Sequence, residues 1–351
     1  MYLDRFKNFK SYKTETTPCK IKLSSNENPF ELPDWLKEEI GKEVKKIPFQ
    51  RYPDPTSQEL KEVIADLYKV KPENLVLGNG SDELIQLLTI IIGSLDRPVL
   101  YPVPTFPMYQ VSADIVGRKR IEVPLNEDFQ LDETFLEKVL EVKPDLVFFA
   151  SPNNPTGNTF NREIILKVAD SGIFTVVDEA YIDFSDKKSF LEEALQRENL
   201  VVLRTMSKIG LAGIRLGVLV GREDVAKEID KTRPPFNITY PTQVIGKVVL
   251  TKGREEIKKQ IKVIKEERKK LIEEIKKVKG VKVYPSDANF FLIKVENGNW
   301  LHSELIKKGI LVRNMSHLPF MENCLRVSIG KPEENQAFLK ALKEILDEKT
   351  V

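Results

Sequence analysis

Residues 201–217 read Val-Val-Leu-Arg-Thr-Met-Ser-Lys-Ile-Gly-Leu-Ala-Gly-Ile-Arg-Leu-Gly. The apolar start suits a buried strand, and the chain then breaks at Ser207-Lys208 into a segment punctuated by Gly210, Gly213 and Gly217. The same arrangement recurs upstream. Residues 75–77 end at Gly78-Asn79-Gly80-Ser81-Asp82, and residues 99–101 at Pro102-Val103-Pro104-Thr105-Phe106. Residues 145–150 end at Ser151-Pro152-Asn153-Asn154-Pro155-Thr156-Gly157, and residues 174–177 at Asp178-Glu179-Ala180-Tyr181. Short apolar runs that alternate with helical stretches predict an α/β fold, a large domain with a mostly parallel sheet flanked by helices. Ligands gather outside the carboxyl ends of such strands, so the five motifs are expected along one edge.

The lysine at the break is a chemical candidate. Glycines let the backbone approach a ligand closely, and Arg204 and Arg215 are expected to surround Lys208 with positive charge, favouring a neutral, reactive amine. That suits a Schiff base; a solvent-exposed loop lysine is the plain alternative. Gly78-Asn79-Gly80-Ser81 leads into a helix, where free amides and the helix dipole favour an anion. A strand-to-helix turn with Ser81 as N-cap accounts for the same residues, and Asp82 and Glu83 oppose a phosphate unless they point away. Asp178, at a strand end, needs a cation or hydrogen-bond donors, which a protonated pyridine nitrogen or an arginine would supply. Asn154, held between Pro155 and Gly157, and Tyr181 either donate to a phenolate oxygen or tie loops together. Phe106 offers a flat face for a ring, or a core contact.

Composition narrows the class. A chain of 351 residues, 41% hydrophobic and 31% charged, has material for about two globular domains, and its formal net charge of +2 gives no reason to expect nucleic acid. Two cysteines near opposite ends, Cys19 and Cys324, argue against a disulfide framework, and with only His302 and His317 a metal centre is not expected. The first residues lack the apolar core of a signal peptide, and the apolar run at 84–95 is interrupted by Gln86, Thr89 and Gly93. No membrane segment is expected, and the setting is read as cytoplasmic.

The remaining chain frames these motifs. Residues 1–30 read as an arm that packs on a smaller domain or a partner subunit, and residues 31–245 as the large domain. Within the latter a helix is predicted from 34 to about 46, and Thr56 or Ser57 is expected to cap another that runs to about 68. Residues 246–351 read as a smaller α+β domain. It opens with a long amphipathic helix over 254–279, with Ile257, Ile261, Ile264, Leu271, Ile275 and Val278 as its apolar stripe. Strands follow at 281–284, 290–295, 310–313 and 325–329, then a helix from Pro332.

Taken in order, Ser25-Asn26-Glu27-Asn28-Pro29, Arg51-Tyr52-Pro53, Gly78 to Glu83, Asn154-Pro155-Thr156-Gly157, Asp178-Glu179-Ala180-Tyr181, Ser207-Lys208 with Gly213-Ile214-Arg215, and Cys324-Leu325-Arg326-Val327 resemble the fold-type I pyridoxal-phosphate aminotransferases. Within them the chain looks most like the histidinol-phosphate branch. The resemblance implies pyridoxal 5'-phosphate as cofactor and Lys208 as the residue that binds it and then moves the proton. It implies Asp178 on the pyridinium nitrogen, Asn154 and Tyr181 on the ring oxygen, and Phe106 stacked on the ring. Gly80, Ser81, Asp82, Ser207 and Arg215 would surround the phosphate, with Tyr52 reaching it from the neighbouring subunit of a homodimer. Lys208 and Arg215 lie one residue closer together than in the aspartate aminotransferase branch, so the loop between them must be tight.

Arg313 and Arg326, with Tyr12 from the arm, would bind the phosphate of the substrate. The implied reaction is a ping-pong exchange between glutamate and imidazole acetol phosphate, giving 2-oxoglutarate and histidinol phosphate. The rivals are an aromatic or aspartate-type aminotransferase and a threonine-phosphate decarboxylase on the same scaffold. A cofactor-binding regulator without catalysis is a third class, and no helix-turn-helix or basic arm supports it.

Overall fold

The computed structural model describes residues 17–348 together with Phe9 and Glu15. Two sheets organise the chain. The larger has seven strands, β2 (Leu75–Asn79), β3 (Val99–Val103), β4 (Arg120–Pro124), β5 (Leu146–Ala150), β6 (Phe174–Asp178), β7 (Leu200–Thr205) and β8 (Leu216–Val220), in the order β2-β8-β7-β6-β5-β3-β4. The smaller has five, β1 (Ile21–Leu23), β9 (Lys282–Val283), β10 (Phe290–Lys294), β11 (Ile310–Asn314) and β12 (Cys324–Ser328), in the order β1-β11-β12-β10-β9.

The seven-stranded sheet is parallel except at β8, which runs antiparallel to both β7 and β2. Strand β5 is buried throughout because helices cover both faces. Its period of two sends Val147 and Phe149 to one apolar cluster and Leu146, Phe148 and Ala150 to the other. The first cluster packs under helices Glu133–Val142 and Arg162–Asp170, and the second under Ser81–Ile91 and Met108–Val116. Strands buried on two sides must be apolar on two sides, which is why each reads as an unbroken apolar run.

The expected parallel α/β arrangement holds, with two strands added. The sequence reading gave no strand at Leu216–Val220 or Arg120–Pro124. The long helix spans Arg254–Ile275, so Val278 lies past its end, while Ile257, Ile264, Leu271 and Ile275 are buried as the stripe requires. Its Arg268 is buried too, donating to the carbonyls of Phe184 and Ala288 at 3.0 and 2.6 Å. The predicted cap at Thr56 or Ser57 is not formed by either hydroxyl. Ser57 has φ 51° and makes no capping bond, and the Asp54 carboxylate instead accepts from the backbone of Thr56 and Gln58 at 2.9 and 2.7 Å. The arm fragment Ile21–Leu23 pairs in parallel with β11, which anchors residues 24–29 beside the site. Among the described residues no helix is long and apolar enough to cross a membrane.

Candidate active site

A cavity of about 190 Å³ opens where β5, β6 and β7 end. Ser81, Asp82, Phe106, Asn154, Asp178, Tyr181, Ser207, Lys208 and Arg215, all expected from the sequence, line it. Gly80 lies just beneath, where a Cβ would come within 2.5 Å of Arg215 Nη2. Arg326 stands behind Asn154, and Arg313 sits on β11 directly opposite Arg326 in register. Tyr52 is 79% exposed and stacks on Phe236 outside the cavity walls, with ring centroids 4.5 Å apart. Tyr12 lies outside the described residues.

Lys208 projects from a tight turn, Ser207–Leu211, that Gly210 closes with φ 112°. A second short turn, Ala212–Ile214, brings the chain back to β8. The backbone of Met206 donates to Leu216 at 2.9 Å, so strands pin both ends of this short loop. The Lys208 ammonium lies 5.5 Å from the centre of the Tyr181 ring. Arg204 does not add its charge to that environment as expected. Its buried guanidinium pairs with Glu179 at 2.9 Å, approaches Asp183 at 3.7 Å and covers the Tyr68 ring.

The opposite end of the cavity is an anion cradle. Helix Ser81–Ile91 starts there from Gly80, whose φ of 77° is open to glycine, so Gly80 and not Ser81 is the N-cap residue. Behind it β8 packs so closely that a Cβ on Gly217 would sit 2.3 Å from the Gly80 carbonyl carbon. Thr205 and Ser207 share a hydroxyl contact of 3.0 Å, and Arg215 donates weakly to Ser207 at 3.4 Å. Arg215, at φ 51°, also pairs with Asp82 at 3.2 Å, so the short spacing still brings it to the cradle. Glu83 turns away, accepting from Asn79 N at 2.6 Å and Asn237 Nδ2 at 2.8 Å.

Asp178 is 3% exposed, and burial pushes its carboxyl up to about 6 even though it accepts from Tyr109 Oη at 2.9 Å and Ala180 N at 3.2 Å. A buried carboxylate that forms no ion pair among the described residues is suited to a protonated ring nitrogen. Arg326 donates to Asn154 Oδ1 at 2.5 Å, which leaves the Asn154 amide nitrogen as the donor for a ligand. Anion cradle, buried carboxylate, flat Phe106 face and amine therefore match the phosphate, ring nitrogen, ring and aldehyde of one cofactor, pyridoxal phosphate.

A family model described as aminotransferase class I and II matches residues 18–342. The chain belongs to this family. It is a pyridoxal-phosphate-dependent transaminase, as the sequence motifs imply. This aminotransferase is 50% identical over 346 residues to the histidinol-phosphate aminotransferase of Aquifex aeolicus, covering 98% of each chain. It is also similar to the crystal structure of the histidinol-phosphate aminotransferase from Clostridium acetobutylicum, with a TM-score of 0.85 and 28% identity over 93% of this chain and 99% of that one. The fold is shared with the Sinorhizobium meliloti histidinol-phosphate aminotransferase solved in complex with pyridoxal-5'-phosphate, at a TM-score of 0.84 and 23% identity over 94% of this chain and 92% of that one.

Two residues of this aminotransferase's site went unread in the sequence. Tyr109 stacks on Phe148 at 4.8 Å, meets Phe106 edge-on at 5.8 Å and holds Asp178 through its hydroxyl. Its position three residues after Phe106 was the available signal. Thr205, the last residue of β7, lines the cavity and orients Ser207, and the sequence alone gives it no role.

Proposed function

We propose that this chain is a histidinol-phosphate aminotransferase, exchanging an amino group between glutamate and imidazole acetol phosphate to give 2-oxoglutarate and histidinol phosphate. The observation that carries the substrate is the 50% identity, across 98% of both chains, to a relative of that name. The two arginines support it. Arg313 and Arg326 lie opposite each other across β11 and β12, and two guanidinium groups side by side suit a phosphate.

Bound in the cavity, pyridoxal phosphate supplies an electron sink for the charge released when the substrate C–H bond breaks. In this reading Lys208 Nζ first holds the cofactor and then carries the proton. Asp178 stays ionised beside the ring nitrogen, and Asn154 and Tyr181 donate to the ring oxygen. Phe106 covers the ring face. The amides of Gly80, Ser81 and Asp82, with Ser207 and Arg215, hold the phosphate. Residues 31–245 are read as the cofactor domain and 246–351 as the substrate domain, with the two sheets supporting that division. A cytoplasmic setting fits the two unpaired cysteines, Cys19 and Cys324.

The test is a titration of the purified, cofactor-loaded protein followed by visible absorbance. Histidinol phosphate is expected to bleach the lysine-bound band and 2-oxoglutarate to restore it. A band that ignores histidinol phosphate yet responds to another amine would replace the substrate and keep the cofactor assignment.

The same reading includes a homodimer in which Tyr52 reaches the neighbouring cavity. Phe49, Tyr52 and Phe236 leave 72%, 79% and 36% of their surfaces exposed along one groove with Pro53 and Pro235, an apolar patch suited to a second copy. Sedimentation at micromolar concentration is expected to show a dimer; a monomer would remove Tyr52 from the site.

A further inference from the structure

We infer that Asn26 is a positioning residue that sets the direction of the Tyr181 hydroxyl, aiming its proton into the cavity. The inference rests on the role given to Tyr181 above. Asn26 follows β1 in the left-handed conformation, φ 55°, and is 1% exposed. Asparagine, aspartate and glycine tolerate that backbone best.

The hydrogen bonds around Asn26 run in one direction in the structure. Asn26 N donates to Ser328 Oγ at 2.9 Å, and the single Ser328 proton goes to Asn26 Oδ1, also at 2.9 Å. The amide oxygen thus faces Ser328, and the atom 3.2 Å from Tyr181 Oη is the nitrogen. An amide nitrogen only donates, so Tyr181 must accept there. Its own proton is left for another acceptor, and among the described residues no protein group takes it. Tyr181 lines the cavity, and its ring is held edge-on by Phe290 at 5.0 Å. A second bond, from Asn289 Nδ2 to the Asn26 carbonyl at 2.9 Å, fixes the backbone. Ser328 belongs to the five-stranded sheet and Tyr181 follows β6 of the seven-stranded one, so the placement of one sheet sets a donor above the other. Accepting from Asn26 also strengthens the phenol as a donor.

Asn26→Asp keeps the shape and the backbone but reverses the polarity. An ionised carboxylate only accepts, and it takes the Tyr181 proton away from the cavity. The readout is the pH midpoint of the visible band of the cofactor-loaded protein without substrate, since a donor to the ring oxygen stabilises its anionic form. Tyr181→Phe is expected to raise that midpoint by about one unit, the size of one hydrogen bond to a charged group. Asn26→Asp is expected to raise it similarly, and in a Tyr181→Phe background its shift should fall to less than half. Asn26→Gly, which suits the same backbone, should give a smaller rise that vanishes in the Tyr181→Phe background. An Asn26→Asp shift of equal size in both backgrounds would mean that the new charge acts directly and would overturn the inference. So would wild-type midpoints in both Asn26 variants while Tyr181→Phe moves. An unmoved midpoint in Tyr181→Phe itself would overturn the underlying role of Tyr181.

Discussion

Replacing Lys208 with alanine is expected to lower transamination by about 10⁴-fold or more while leaving the fold intact. Lys208 is the one lysine among the residues lining the cavity, and the loop that carries it is pinned between β7 and β8. The anion cradle, Asp178, Asn154 and Phe106 are all independent of the lysine side chain, so the variant should still bind pyridoxal phosphate, but without the absorbance of the lysine-bound form. Lys208→Arg is the matched control, since it keeps the charge and lacks a usable nucleophile. Added methylamine should restore a measurable fraction of turnover in the alanine variant and none in the arginine one. Retention of more than about a tenth of wild-type turnover by Lys208→Ala would end the assignment.

Asp178→Asn is expected to separate activity from stability, lowering turnover by about 10²–10³-fold while stabilising the cofactor-free protein at neutral pH. Burial raises the folded-state pKa of Asp178 from 3.8 to about 6. Between those values the folded chain binds a proton that the unfolded chain has released, so stability falls as pH rises through that window and stays low above it. The shift corresponds to roughly 3 kcal/mol as an upper bound at pH 7.5. The gain is smaller than that bound because the amide accepts only part of what the carboxylate takes from Tyr109 and Ala180. Thermal melts of both cofactor-free proteins should differ by a few degrees at pH 7.5 and converge near pH 4. A variant less stable than wild type at pH 7.5 would show that the carboxylate is not the strained group inferred from its burial.

Most of this site was legible because its residues lie in short segments just after apolar strands, and a parallel sheet gathers those ends at one edge. Ser207-Lys208, Asp178 and Asn154 needed only that rule. What was not legible depended on contacts distant in sequence. Arg204 lies four residues from Lys208, and proximity in the chain was taken for proximity of charge; its true partner, Glu179, comes from the neighbouring strand's end. Strand β8 begins inside a glycine-rich stretch, and only its pairing with both β7 and β2 distinguishes it from loop. Strand β4, Arg-Ile-Glu-Val-Pro, alternates charged and apolar residues too briefly for a periodicity to stand out. Nothing local fixes the contact of Tyr109 with Asp178 or the hydrogen-bond polarity at Asn26, because each is defined by a residue at least 69 positions away.

Strand β4 also bears on how the molecule behaves in a crowded solution. It closes one margin of the seven-stranded sheet, where open backbone groups would invite a strand from another molecule. Arg120 pairs there with Glu122 and Asp114, and Pro124 ends the strand without an amide hydrogen to offer. A newcomer would have to strip water from that charged cluster and would find the ladder cut short after a few residues. The margin is thus guarded against fibrous association by the same alternation that hid the strand from view.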